Sequence, residues 1–264
     1  MKAMTELFEG GNVFKGPDKQ PLTRRITRAE IPTTIAYLEK ETGVDFSTDK
    51  DEEGVPIKWL GTTGRKADSG DLDLSVDANE INKTEFADKL RTLFGKDSVK
   101  LSGDNVHLKT PINGDPANGF AQTDFMFSAN PKFQQGSMLG SGPDSPFRGE
   151  HRHILLSSIA RARGMKYSPK FGLMNAETDE TVPGGDDWNT IAKQLLGQTA
   201  TVKDIRSVEN IIAYIRKLPN YEELVAAARE TLGRSGIELP KNEALESYQP
   251  GSIGWMRRMI DIVK

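Results

Sequence analysis

The chain has 264 residues, of which 36% are hydrophobic and 28% charged, and its formal net charge at pH 7 is −3. This composition predicts a globular protein of one or two domains and argues against a general nucleic-acid coat. The sequence contains no cysteine, which excludes disulfides, thiolate metal ligands and cysteine nucleophiles. No apolar run reaches membrane-spanning length and the first residues lack a signal-peptide core, so we expect a cytoplasmic protein with no membrane partner.

The first half of the chain predicts a mixed α+β arrangement. Residues 1–26 are polar and rich in Gly and Pro, which is typical of a loose N-terminal arm. A capping-box pattern at 27–30 precedes apolar residues at helical spacing, so a helix is expected over about 29–42. The elements predicted next are strands at 56–60 and 71–76, a helix at 83–94, a β-hairpin around 103–105 and a strand at 120–128.

The second half is predicted to be mainly helical. A Gly/Ser/Pro-rich loop leads to a helix over about 149–163, and a short β segment begins near residue 170. Further helices are expected at 187–196, 202–216 and 221–232, with a terminal amphipathic helix after residue 251. The whole pattern predicts a mixed sheet with flanking helices, followed by a helical C-terminal part.

Two carboxylates, Asp71 and Asp73, lie one residue apart in the apolar stretch "DLDLSV". Alternate residues of a strand point to one face, so these side chains project together and repel each other when both are ionised. Taken alone, D-x-D is more often a solvated strand face. Asp124, between apolar neighbours in "TDFMF", is expected on an adjacent strand and supplies a third hard oxygen ligand. Such a cluster suits Mg²⁺, and paired ions about 3.5–4 Å apart can serve group transfer.

A Gly-Thr turn, "LGTTGR", precedes these carboxylates. The backbone of Gly61, Thr62 and Thr63 and the Thr62 hydroxyl can cradle phosphate oxygens, and Arg65 offers a forked donor. The spacing is not that of a P-loop, and such a segment alone is more often a simple turn. In combination with three carboxylates it predicts a triphosphate site.

Together, "LGTTGRKADSGDLDLSV" and "QTDFMF" resemble the nucleotidyltransferase superfamily signature, in which a glycine turn is followed by D-x-D and a later third carboxylate. The pattern is most similar to the family X DNA polymerases of the polymerase beta type, which carry Gly-Asp-x-Asp at this point. Gly70 occupies the glycine of that motif, Thr62 replaces the family's phosphate-binding serine, and Arg65 matches its arginine. The resemblance implies a nucleotidyltransferase-like, palm-like domain over residues 27–145.

A weaker likeness continues beyond the third carboxylate. Gly140, Ser141 and Phe147 resemble the family's Gly-Ser turn and phenylalanine, Arg152 its helix arginine, and Arg148 stands where an asparagine contacts the incoming base. Residues 146–264 would then form a thumb-like and helical region. Residues 148–170 contain six basic residues against one acidic residue. They can face a nucleotide or a nucleic-acid backbone, although a solvated helix explains them equally well.

The resemblance implies transfer of a nucleoside monophosphate from an NTP or dNTP to a 3′ hydroxyl of DNA or RNA, with release of pyrophosphate. Asp71, Asp73 and Asp124 would hold two Mg²⁺ ions, or Mn²⁺, and Asp124 would receive the acceptor's proton. Two alternatives stay open: a nucleotidyltransferase acting on a small molecule, a tRNA or a protein, and a non-catalytic nucleotide-binding module. The roughly 55 residues before the palm are too few for the lyase and fingers domains of gap-repair polymerases, which favours the first alternative.

Overall fold

Short apolar stretches separated by Gly-containing turns form one mixed sheet, and two helices with apolar stripes cover one of its faces. The computed structural model describes residues 13–139, 149–220, 222, 223 and 226. The chain divides into two units, Met1–Asp144 and Ser145–Lys264, and each is described by itself. The sequence predicted a division after residue 145.

The first unit has an α+β architecture. Its hairpin turns at Gly103 as predicted, and its second helix and longest strand have the predicted bounds. The elements, in chain order, are β1 (Ile26–Thr27), α1 (Ile31–Thr42), β2 (Trp59–Leu60), β3 (Asp68–Ser69), β4 (Leu72–Asp77), α2 (Lys83–Phe94), β5 (Val99–Ser102), β6 (Asn105–Pro111), β7 (Phe120–Ser128) and α3 (Pro131–Ser137).

The main sheet has five strands in the order β2-β4-β7-β6-β5. Strands β4 and β7 are parallel, and every other neighbouring pair is antiparallel. Strand β2 is shorter than the predicted 56–60. Pro56 has no backbone N–H and forms only an isolated bridge, to Lys50. The parallel pairing places β4, which carries Asp73, beside β7, which carries Asp124.

One face of this sheet is the hydrophobic core. Leu72, Leu74 and Val76 of β4 point to it and are almost completely buried. Helices α1 and α2 pack on the same face, and the rings of Phe86 and Phe125 meet edge to face with centroids 5.0 Å apart. Because side chains alternate along a strand, the carboxylates of β4 and β7 point to the opposite face.

The described part of the predicted N-terminal arm is packed rather than loose. Phe14 and Ile26 are 2% and 0% exposed, and β1 pairs with β3. The carboxylate of Glu30 accepts from the Thr27 backbone N–H at 2.9 Å, as a capping box requires. That pair closes a turn, however, and α1 begins only at Ile31.

The second unit is mainly helical, with one two-stranded sheet. Its elements are α4 (Gly149–Ala162), β8 (Met165–Ser168), β9 (Gly172–Asn175), α5 (Trp188–Leu196), a 3₁₀ turn (Val202–Ile205) and α6 (Val208–Ile215). The helix predicted over 202–216 is therefore two elements, because Ser207 caps a new helix. The predicted helix at 221–232 and the terminal amphipathic helix lie mostly or wholly outside the described residues. No helix in the described ranges is long and apolar enough to cross a membrane.

Candidate metal centre

Three carboxylates meet on the polar face of the main sheet. Asp71 directly precedes β4, Asp73 is its second residue, and the parallel register sets Asp73 opposite Asp124 on β7. One oxygen from each residue lies within 4.8 Å of the other two. The structure thus brings together the three residues that the sequence singled out, and the cluster could hold a metal ion.

The electrostatics of the cluster favour a cation. Burial, followed by the negative charge of Asp124, raises the pKa of Asp71 from 3.8 to about 6. Burial and the charges of both neighbours raise the pKa of Asp73 well above its usual value. Three hard oxygen donors that repel one another are the donor set that divalent cations such as Mg²⁺ use in proteins. The residues present therefore fit the ion that the resemblance implies.

Asp124 is held by two side chains that the sequence reasoning did not select. His107 Nδ1 lies 2.8 Å from Asp124 Oδ1, and Gln122 Nε2 donates to the same oxygen at 3.0 Å. His107 faces Asp124 across the β6–β7 pair, and Gln122 lies two residues before it on one strand. Two signals could have identified Gln122 and His107: the alternation of side chains along β7, and the pairing of β6 with β7.

Gly61 brings the backbone against Asp73. Its φ of +58° lies in the left-handed region, and an added Cβ would lie 2.8 Å from Asp73 Oδ2. The Gly61 N–H donates to the Met138 carbonyl at 2.8 Å, which attaches the turn to the end of α3. Glycine is therefore required here for both conformation and space.

The rest of the predicted phosphate cradle is largely engaged within the protein. The Thr63 N–H donates to the Leu60 carbonyl, and the buried Thr63 hydroxyl accepts from the Asp73 N–H at 3.0 Å. Thr62 is exposed, and its hydroxyl donates to Ser69 at 3.1 Å. Of the three residues of the turn, only Thr62 is exposed.

Arg65 was predicted to contact a phosphate, but in the structure it is engaged by other side chains. Its guanidinium is buried and paired with the carboxylates of Asp51 and Glu53, the second at 2.8 Å. A fork already filled by two carboxylates stabilises the loop instead of meeting a free anion. The acidic loop 47–54 supplies both partners.

A different arginine lies near the carboxylates. Gly70, which is exposed, precedes Asp71, and a Cβ there would lie 3.4 Å from Arg25 Nη1. The positive charge of Arg25 lowers the pKa of Asp71, against the larger effect of burial. The guanidinium is also paired with Asp68 and is mostly exposed. The predicted N-terminal arm thus contributes a cation beside the metal centre.

The two arginines predicted for the base-pair region both belong to the second unit. Arg148, together with Gly140, Ser141 and Phe147, lies outside the described residues. Arg152 belongs to the second unit, where its Nε donates to the Ile205 carbonyl at 2.8 Å and its guanidinium lies 4.6 Å from the Trp188 ring centroid. Burial lowers the pKa of Arg152 to about 10. These contacts place Arg152 in the core of its unit.

No protein-family model, curated protein or solved structure matches the chain. The carboxylate geometry and the motif resemblance are therefore what support a function for this protein.

Proposed function

We propose that this protein is a metal-dependent nucleotidyltransferase with a palm-like first unit similar to that of polymerase beta. One observation carries the proposal: Asp71, Asp73 and Asp124 converge to within 4.8 Å from two parallel strands. The glycine turn at Gly61 lies against Asp73 of this cluster, as the glycine turn of the nucleotidyltransferase signature would. In the sequence, the turn, D-x-D and third carboxylate occur in the order of that signature.

Asp71 and Asp73 would hold the ion that accompanies the triphosphate, and all three carboxylates would share a second ion. Bound Mg²⁺ or Mn²⁺ would neutralise phosphate charge and lower the pKa of the acceptor hydroxyl. The raised pKa values of Asp71 and Asp73 support this assignment, since a nearby cation favours the ionised form of both groups.

The chain's own residues have separate tasks in the transfer. The acceptor oxygen forms a bond to the α-phosphorus while the bond from that phosphorus to the bridging oxygen breaks, and pyrophosphate leaves. The acceptor's proton passes to Asp124, which lies beside the ion at the acceptor hydroxyl in this assignment. Thr62, which is exposed, and Arg25 are the groups we assign to the departing phosphates.

We assign the acceptor as a 3′ hydroxyl of DNA or RNA. In the second unit Arg161, Arg163, Lys166 and Lys170 are exposed, and Lys166 is paired with Asp179 at 2.6 Å, so the stretch presents positive charge that can face a phosphate backbone. A small-molecule, tRNA or protein acceptor is the second candidate. It is favoured by the burial of Arg152, which removes a contact predicted near the nascent base pair.

An extension assay tests the proposal directly. Purified protein with Mg²⁺ or Mn²⁺ and each labelled nucleoside triphosphate would be offered DNA and RNA primers, with and without template. The control is the double variant Asp71→Ala/Asp73→Ala. We expect extension by the wild-type protein and none by the double variant.

The assay separates the candidates. Extension that survives in the double variant would contradict the assigned site. Metal-dependent triphosphate binding without extension would move the assignment to another acceptor. A protein with neither extension nor metal-dependent triphosphate binding is not a nucleotidyltransferase.

A further inference from the structure

The third carboxylate belongs to a buried hydrogen-bonded trio. His107, Gln122 and Asp124 are 6%, 3% and 8% exposed. Both His107 Nδ1 and Gln122 Nε2 meet the same oxygen, Asp124 Oδ1, at 2.8 and 3.0 Å. Buried side chains that converge on one carboxylate oxygen restrict its rotation.

The two oxygens of Asp124 are therefore unequal. Oδ1 has two partners, while Oδ2 accepts no hydrogen bond from any residue in the described ranges. When Asp124 is ionised it can only accept, so Nδ1 of His107 must carry the proton it shares with Oδ1. This arrangement leaves Oδ2 as the oxygen available for a ligand or a proton.

The orientation of Gln122 is fixed by the backbone. Its Oε1 accepts from the Val13 N–H at 2.9 Å, which turns its Nε2 toward Asp124. Lys100, the cross-strand neighbour of His107, donates to the Val13 carbonyl, and the adjacent Phe14 is buried. The N-terminal segment thus holds the glutamine in its donating orientation.

Packing alone does not account for the histidine. His107 Nε2 is buried and has no hydrogen-bond partner among the described residues. An unsatisfied buried polar atom costs free energy that an apolar side chain of similar size would not cost. The bond from Nδ1 to Asp124 is the one polar contact that His107 makes in the described structure.

We propose that His107 and Gln122 are positioning residues for Asp124: they hold Oδ1 and so direct Oδ2 to the metal centre. The inference rests on the proposed function, in that it takes the three carboxylates to be metal ligands. It extends the site to two side chains and one backbone group that contact neither substrate nor metal. Hydrogen-bonded partners of ligating carboxylates commonly change metal affinity by about 10–100-fold when they are replaced.

The test is Mn²⁺ affinity of the full-length protein, measured by calorimetry and by paramagnetic resonance without nucleotide. His107→Leu removes the donor, whereas His107→Asn keeps an amide N–H at the position of Nδ1. Gln122→Met is a second, independent removal of a donor. We expect His107→Leu and Gln122→Met to bind Mn²⁺ about 10–100-fold more weakly, and His107→Asn to recover most of the affinity.

Thr110→Val is the matched control for stability. Thr110 lies on β6 but on the opposite face, and its hydroxyl shares a buried hydrogen bond of 2.7 Å with Thr123 on β7. This variant removes a buried hydrogen bond between the same two strands without touching Asp124. We expect its Mn²⁺ affinity to match that of the wild-type protein. Circular dichroism would show which variants fold. If His107→Leu does not fold, Gln122→Met is used in its place.

The outcomes distinguish this inference from the proposed function. Wild-type Mn²⁺ affinity in folded His107→Leu and Gln122→Met would overturn the inference, as would a wild-type protein that binds no Mn²⁺. Equal weakening in Thr110→Val would also overturn it, because the effect would then be structural. If Mn²⁺ binds and depends on His107 but no nucleotide is transferred, the inference stands and the proposed function fails.

Discussion

Ionisation of the Asp73 carboxyl is opposed by its surroundings in the metal-free protein. Burial and two neighbouring carboxylates raise its pKa well above the usual value, so ionisation at neutral pH opposes folding. Asp73→Asn keeps the shape and removes the charge. In EDTA at pH 7.5 we expect a Tm higher by about 2–4 °C, corresponding to about 1 kcal/mol. The Tm increase that Mn²⁺ produces in the wild-type protein should be lost, as measured by thermal fluorescence.

Asp77→Asn is the control for this change. Asp77 lies four residues further along β4, and its carboxylate accepts from the Asn79 N–H at 2.8 Å, a bond that an asparagine oxygen can keep. This variant should respond to Mn²⁺ like the wild-type protein. A Mn²⁺ response that survives in Asp73→Asn would contradict the metal assignment.

Asp71 gives the metal-free protein a pH dependence of predictable sign. Its pKa rises from 3.8 in the unfolded chain to about 6 in the folded protein. Its stabilising contribution is therefore complete below pH 3.8 and is lost as the pH rises through about 6. Urea unfolding in EDTA should show Asp71→Asn more stable than the wild-type protein by about 1–2 kcal/mol at pH 7.5. If the difference in unfolding free energy between the two proteins were as large at pH 4.5 as at pH 7.5, this assignment of the pH dependence to Asp71 would be wrong.

Residue positions were predictable where a side chain acts through its own strand and not where a loop supplies its partner. Asp71, Asp73 and Asp124 follow from alternation and from the cost of charge in apolar strands. Arg65 was assigned to a phosphate, but the loop carboxylates of Asp51 and Glu53 engage it. Nothing in the spacing of an acidic loop indicates that it folds back over one particular arginine.

At the scale of elements, the turn before β3 packs against one of the three carboxylates. Gly61→Ala would place a methyl group 2.8 Å from Asp73 Oδ2 and would also strain a φ of +58°. We expect this variant to lose about 1 kcal/mol of stability and to bind Mn²⁺ about tenfold or more weakly, because the ligand must move. Chemical denaturation and Mn²⁺ calorimetry measure the two effects separately.

Gly54→Ala separates strain from contact. Gly54 also has a positive φ, +76°, but an added Cβ there meets nothing within 4 Å. It should lose similar stability and keep its Mn²⁺ affinity. Equal affinities for the two variants would show that Gly61 does not act on Asp73.

Element boundaries were predictable where local signals agree. Helix α2 has Asn82 as its N-cap, an apolar stripe and Gly95 at its end, and its bounds are as predicted. Residues 13–26 lack such local signals. Their structure depends on contacts with residues far along the chain. Val13 contacts Gln122, and Ile26 pairs with Ser69. Composition rich in Gly and Pro could not reveal contacts made so far along the chain.

At the scale of the whole molecule, opposite charges are concentrated in different units. The first unit carries the three carboxylates, and the second carries the exposed cations of residues 161–170. A net charge of −3 conceals this division. The proposed function would use both groups: the carboxylates would bind the metal, and the exposed cations would bind a polyanionic acceptor.

The triple variant Arg161→Gln/Arg163→Gln/Lys170→Gln tests whether the exposed cations of the second unit bind the acceptor. If these exposed side chains meet the acceptor's phosphates, primer affinity should fall and its dependence on salt should become shallower. Each lost contact should reduce the slope of log K against log salt by about 0.7 for a single strand or 0.9 for a duplex. Mn²⁺ affinity should not change, because the carboxylates belong to the first unit. Fluorescence anisotropy of a labelled primer at several salt concentrations gives the slope, and a slope unaffected by the triple substitution would favour a small acceptor.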